Sequence, residues 1–127
     1  MVGSAGGTLG CDLELIEPRS PAFLEDWLTP AERALVAGAD AARRDLLANL
    51  LWTAKEAAAK ARREGLRLDV RNAVAGFDGL DRATPGWQRL LVTWAGDGER
   101  ADGWWRVEPG WVMAVAGEPA PGEPQAL

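Results

Sequence analysis

The sequence predicts an α+β fold in which one long helix packs across an antiparallel sheet. Three observations carry that expectation. Residues 40–64 contain no Gly or Pro and are rich in Ala, Leu, Arg and Glu, the composition of a helix. After Gly65 the apolar residues recur with period two, as in strands. Ahead of both, the stretch GCDLELI, residues 10–16, alternates apolar and acidic side chains. A chain of 127 residues suits a single core, so residues 1–117 are read as one domain. Residues 118–127 form a Pro-rich tail expected to be extended or disordered.

Taken in order, the first strand turns Cys11, Leu13 and Leu15 to one side and Asp12 and Glu14 to the other. Cys11 is expected to pack as a small apolar side chain. The prolines of EPRSP end the strand, and one or two helical turns follow around residues 23–28. A second helix starts at Pro30, with Thr29 as its cap, and ends near Gly38. The long helix is capped by Asp40 and stopped at Gly65. At 100° per residue, Leu46, Leu47, Leu50, Leu51, Ala54, Ala57, Ala58 and Ala61 share a core-facing sector. Asn49, Trp52, Thr53, Glu56 and Lys60 fall opposite. LRLDVRNAV, WQRLLVTWA, GWWRVE and GWVMAVAG then read as strands, the last two joined at Pro109 and Gly110 in a type II turn. The inner sheet face is expected to carry Leu90, Val92, Trp94 and some of Trp105, Trp111 and Val115. The tryptophans at 87, 94, 104, 105 and 111 are read as packing rather than as a ligand platform.

Composition excludes several classes of function. A net charge of −5 and a pI near 4.7 provide no field for nucleic acid. No apolar run approaches a membrane span, no basic-then-apolar leader opens the chain, and the lone Cys11 has no internal disulfide partner; a cytoplasmic protein is expected. The absence of His removes Ser-His-Asp and Cys-His nucleophile systems and most zinc sites. An enzyme with this composition works with carboxylates, Lys, or a metal held by oxygen.

Asp12 and Glu14 project from one strand face, roughly 7 Å apart at the backbone. A solvated polar edge explains such a pair, and so does a Mg²⁺ site, since Mg²⁺ takes a few carboxylates and completes its shell with water and phosphate. Glu56 and Lys60 are spaced as an ordinary i,i+4 ion pair. That pairing leaves Trp52 unexplained, one turn earlier on the same polar sector. Trp52, Glu56 and Lys60 in line look like one wall of a site.

GCDLE, followed about forty residues later by WTAKEAAAK, resembles the paired signature of the 4'-phosphopantetheinyl transferases, Gly-x-Asp and then (Trp/Phe)-x-x-Lys-Glu-x-x-x-Lys. The resemblance runs from about residue 9 to 117 and ends on a hairpin similar to that of the larger, surfactin-synthetase-activating type. It implies transfer of the phosphopantetheine arm of coenzyme A to a Ser of an acyl or peptidyl carrier protein, releasing adenosine 3',5'-bisphosphate. By the same resemblance Asp12, Glu14 and Glu56 would hold Mg²⁺, Lys60 would meet the pyrophosphate, and Glu56 is the candidate base. Trp52 would support the wall, and Lys55 matches a motif position on the cofactor side. Cys11 stands where such proteins commonly carry Val or Ile.

The larger transferases are two similar halves with coenzyme A between them, and this chain matches only the second half. The Ser-His-Ser-like motif of the first half has no counterpart here, nor does the His-containing motif of the small trimeric synthases. Three expectations follow: a self-associating transferase in which Arg62, Arg63, Arg67 or Arg71 replaces the missing nucleotide grip, a half-enzyme that needs a separate N-terminal half, or a non-catalytic module that binds carrier proteins.

Overall fold

The computed structural model describes residues 8–62, 70–80, 86–96, 98–118 and 120–124. The elements run β1 (Thr8–Leu15), α1 (Pro21–Trp27), α2 (Pro30–Gly38), α3 (Ala41–Arg62), a 3₁₀ turn (Val70–Asn72), β2 (Ala73–Phe77), β3 (Gln88–Trp94), β4 (Arg100–Glu108) and β5 (Trp111–Glu118). The five strands make one antiparallel sheet in the order β1-β5-β4-β3-β2. The last four form a meander, and β1 pairs onto its outer strand, so the chain's first strand lies at the sheet edge. α3 lies across one face, mostly against β1 and β5. Among the described residues no helix is long and apolar enough to cross a membrane.

Local chemistry sets the helix starts. The Ser20 hydroxyl accepts from the Phe23 amide at 3.0 Å, and Asp40 Oδ1 accepts from that of Arg43 at 3.0 Å. Thr29 and Glu32 form a reciprocal capping box, with Glu32 N donating to Thr29 Oγ1 at 3.2 Å and Thr29 N to Glu32 Oε1 at 2.9 Å. Thr29→Ala should therefore lower the unfolding free energy by about 1 kcal/mol, read as a shifted urea midpoint at constant m-value. The expected stop of α3 at Gly65 lies outside the described residues. Of the strand expected from LRLDVRNAV, residues 66–69 lie outside the described residues, Val70 to Asn72 form a 3₁₀ turn, and β2 runs from Ala73. Gly110, with φ of +89°, makes the tight turn into β5.

The core lies between α3 and the inner sheet face. Leu47, Leu50, Leu51, Ala54, Ala57 and Ala58 pack on Ala73, Leu90, Val92, Trp94, Ala101, Trp105, Val112, Ala114 and Ala116. Two expectations are corrected and one is narrowed. Asn49 and Thr53 are fully buried rather than on a solvated sector, because the α1–α2 segment forms a second cover over that side of α3. Of Trp105, Trp111 and Val115, of which some were expected on the inner face, Trp105 lies there, while Trp111 and Val115 stand in register with Leu15 and Cys11 on the outer face. In β1 itself, Cys11, Leu13 and Leu15 are exposed, while Gly10, Asp12 and Glu14 pair with the inner-face positions Ala116, Ala114 and Val112. Strand alternation defines two faces but not which of them is buried, and here the acidic face turns inward. Trp104, also on the outer face, donates from Nε1 to the Pro121 carbonyl at 3.0 Å, so this part of the tail rests on the sheet.

Candidate active site

Gly10 decides how closely β1 approaches α3. A Cβ at this position would overlap the Ala57 carbonyl oxygen and the Ala61 amide nitrogen and lie 2.7 Å from Lys60 Cβ. With only hydrogen there, the strand lies against the last turns of the helix, and Asp12, the next residue on the inner face, comes beside Lys60. Lys60 Nζ donates to Asp12 Oδ1 at 2.8 Å and to the Cys11 carbonyl at 3.2 Å. The amide of Ile16 donates to Gly110, so the even-numbered residues of β1 turn their backbone groups toward β5 and the odd-numbered ones toward the open edge. Lys60 thus reaches around that edge to a carbonyl that no strand among the described residues pairs with.

Asp12 Oδ2 is buried and has no hydrogen-bond partner. A buried carboxylate oxygen left alone is costly unless a cation completes it. Glu14 and Glu56 supply the neighbouring charge. Burial raises the Glu56 carboxyl above its ordinary value of 4.5, and the charges of Asp12 and Glu14 raise it further against the pull of Lys60. Burial and then the charge of Asp12 raise Glu14 likewise, against the opposing Arg19. Lys60 is raised above 10.5, first by its hydrogen bond to Asp12 and then by the charges of Asp12 and Glu56, with burial opposing.

Glu14 is held from the other side. Arg19 Nη2 lies 3.2 Å from Glu14 Oε1, and Arg19 Nε donates to Asn49 Oδ1 at 2.7 Å. Asn49 in turn donates to the Glu17 and Asp45 carbonyls, both at 2.7 Å. Neither Arg19 nor Asn49 was singled out by the sequence reading. A buried Asn in the interior of an Ala/Leu-rich helix was the available signal, because such a residue is neither a good helix former nor a free choice for a core.

The structure thus brings Asp12, Glu14, Glu56 and Lys60 together and leaves Trp52 and Lys55 out. Trp52 packs edge-on to Phe23, with ring centroids 5.4 Å apart, and against Trp27 at 5.3 Å, so α1 covers the ring that the sequence left exposed. Lys55 has no accessible surface and is committed to Glu32, 2.5 Å away. Of the expected nucleotide-gripping arginines, Arg62 lies 4.8 Å over the Trp94 ring and Arg71 is exposed; Arg63 and Arg67 lie outside the described residues.

The pattern that defines the 4'-phosphopantetheinyl transferase superfamily matches residues 8–116. The chain belongs to that superfamily. Its match begins with β1 and ends within β5, so this transferase domain contains the whole carboxylate and Lys wall. A comparison with curated proteins gives no match. Members of the superfamily use coenzyme A and act on carrier proteins. Among the described residues of this phosphopantetheinyl transferase domain, no three acidic, Cys or His side chains already surround a single point. Lys60 and Arg19 each hold one acid of the group, yet the donors are hard oxygens and Asp12 Oδ2 is unclaimed, a set that fits Mg²⁺ in chemistry.

Proposed function

We propose that the chain transfers the phosphopantetheine arm of coenzyme A to a Ser of an acyl or peptidyl carrier protein. The observation that carries this reading is the unpartnered Asp12 oxygen beside Glu14, Glu56 and Lys60, in a domain of this superfamily. Asp12, Glu14 and Glu56 would hold Mg²⁺, which supplies charge neutralisation at pyrophosphate oxygens when bound. Lys60, half exposed, offers its ammonium to the same oxygens. The Ser oxygen bonds to the phosphorus that carries pantetheine, and the bond from that phosphorus to the bridging oxygen breaks. Adenosine 3',5'-bisphosphate leaves with the bonding pair. The Ser proton passes to Glu56, which stands with Asp12, Glu14 and Lys60 in the same group of side chains. Lys55 and Trp52 are not in the reacting set.

The wall faces solvent at Lys60, and this favours as a second reading a half-site completed by another copy or by a separate N-terminal half. Incubation with coenzyme A, Mg²⁺ and an apo carrier protein should add phosphopantetheine to the carrier, read by intact mass. Transfer only when a first half of a related transferase is supplied in trans would establish the half-site. No transfer in either arm, with carrier binding retained, would leave the non-catalytic module.

A further inference from the structure

Lys55 and Glu32 are the two buried charged side chains described in this chain, and the active-site reading uses neither. Lys55 Nζ lies 2.5 Å from Glu32 Oε1 and donates to the Trp27 carbonyl at 2.9 Å. Glu32 Oε1 accepts from the Thr29 amide at 2.9 Å, and Oε2 accepts from the Ala75 amide at 2.8 Å. One ion pair therefore joins α3 to the end of α1, the start of α2 and the edge strand β2.

A buried ion pair is a poor source of stability, since apolar residues of the same volume often serve as well. What it supplies is direction. The Ala-rich face of α3 offers smooth contacts that tolerate rotation about the helix axis, whereas an ammonium fixed by a carboxylate and a carbonyl does not. Lys55 directly precedes Glu56 in the chain, so a roll of the helix moves both. At roughly 6 Å from the axis, a roll of about 10° displaces a side-chain atom by about 1 Å. Displacements of that size cost on the order of 10²-fold in rate when they affect groups that hold a reacting centre.

We propose that Lys55 is a positioning residue. Its buried pair with Glu32 sets the rotation of α3 that aims Glu56 and Lys60 at Asp12 and Glu14, and it touches neither substrate. The inference rests on the proposed transferase reading for its kinetic consequence, but its structural consequence does not need that reading.

The test uses Lys55→Met and Lys55→Arg in the full chain. Lys55→Met leaves Glu32 buried without its cation and threatens the fold; Lys55→Arg keeps the charge paired but inserts a wider group that must turn the helix. In either variant Lys60 is the only lysine left, so ¹⁵N-lysine labelling gives one side-chain ammonium signal. At one fixed pH its chemical shift should move away from the parent's as the 2.8 Å contact with Asp12 loosens. In steady-state transfer assays, kcat should fall about 10-fold in Lys55→Arg and about 10²-fold in a folded Lys55→Met, with KM for coenzyme A within about 3-fold of the parent. A Lys60 signal and a kcat unchanged in Lys55→Arg would overturn the proposal, as would a rise in KM alone, the mark of a substrate contact. If the parent chain shows no transfer, the transferase reading fails, and the Lys60 chemical shift still decides the positioning role.

Discussion

Gly10→Ala is expected to destabilise the domain by about 3 kcal/mol or more and to abolish whatever activity the wall supports. The added methyl would meet backbone atoms of Ala57 and Ala61, and backbone atoms yield less readily than the end of a flexible side chain. A loss of that size is a large share of the roughly 5–15 kcal/mol by which domains of this kind are stable. Relief requires β1 to move off α3, and this separates Asp12 from Lys60. Thermal denaturation and the Lys60 ammonium titration should therefore change together. A Gly10→Ala variant with the parent melting temperature would show that β1 does not depend on this contact.

Glu56→Gln should do the reverse to stability while abolishing function. Glu14 and Glu56 have native pKa values raised above 4.5, so the folded state binds their protons more tightly than the unfolded chain does. Their contribution to stability thus declines as pH rises from the ordinary carboxyl range through the raised values, and it improves on acidification. Lys60, raised above 10.5, contributes stability that persists below that value and is lost as pH climbs through its native pKa. Removing the Glu56 charge takes one repelling partner from Asp12, and the melting temperature of the metal-free protein at neutral pH should rise by a few degrees. Millimolar Mg²⁺ should stabilise the parent and not the variant, and transfer should fall by about 10²-fold or more. A variant with parental turnover and an intact Mg²⁺ response would remove Glu56 from the site.

The fold was legible wherever the signal was local. Thr29 and Asp40 mark helix starts through hydrogen bonds that span three residues, Pro30 marks one through its fixed φ, and the pattern from Leu46 to Ala61 marks the face of α3 that meets the sheet. Two short motifs singled out Asp12, Glu14, Glu56 and Lys60, which the fold places near one another. The inward turn of Asp12 and Glu14 was not, since it depends on which face Gly10 lets approach the helix. The burial of Asn49 and Thr53 depends on a second cover from α1 and α2, which no periodicity within α3 reports. Lys55 was assigned to the cofactor because its motif position says nothing of Glu32, an acid on another helix that also carries the Ala75 amide. Arg19, between two prolines, had no pattern at all until Glu14 and Asn49 gave it partners.

The contrast between the two lysines has a practical side. Lys60 is about half exposed, and Lys55 is sealed in the core. Reagents that acylate amines will therefore find one side chain in the folded protein, apart from the chain's own α-amino group. Attachment to a sensor surface through Lys60 would block the wall under measurement, whereas a fluorophore attached to Lys60 would sit where the ligand is to be read.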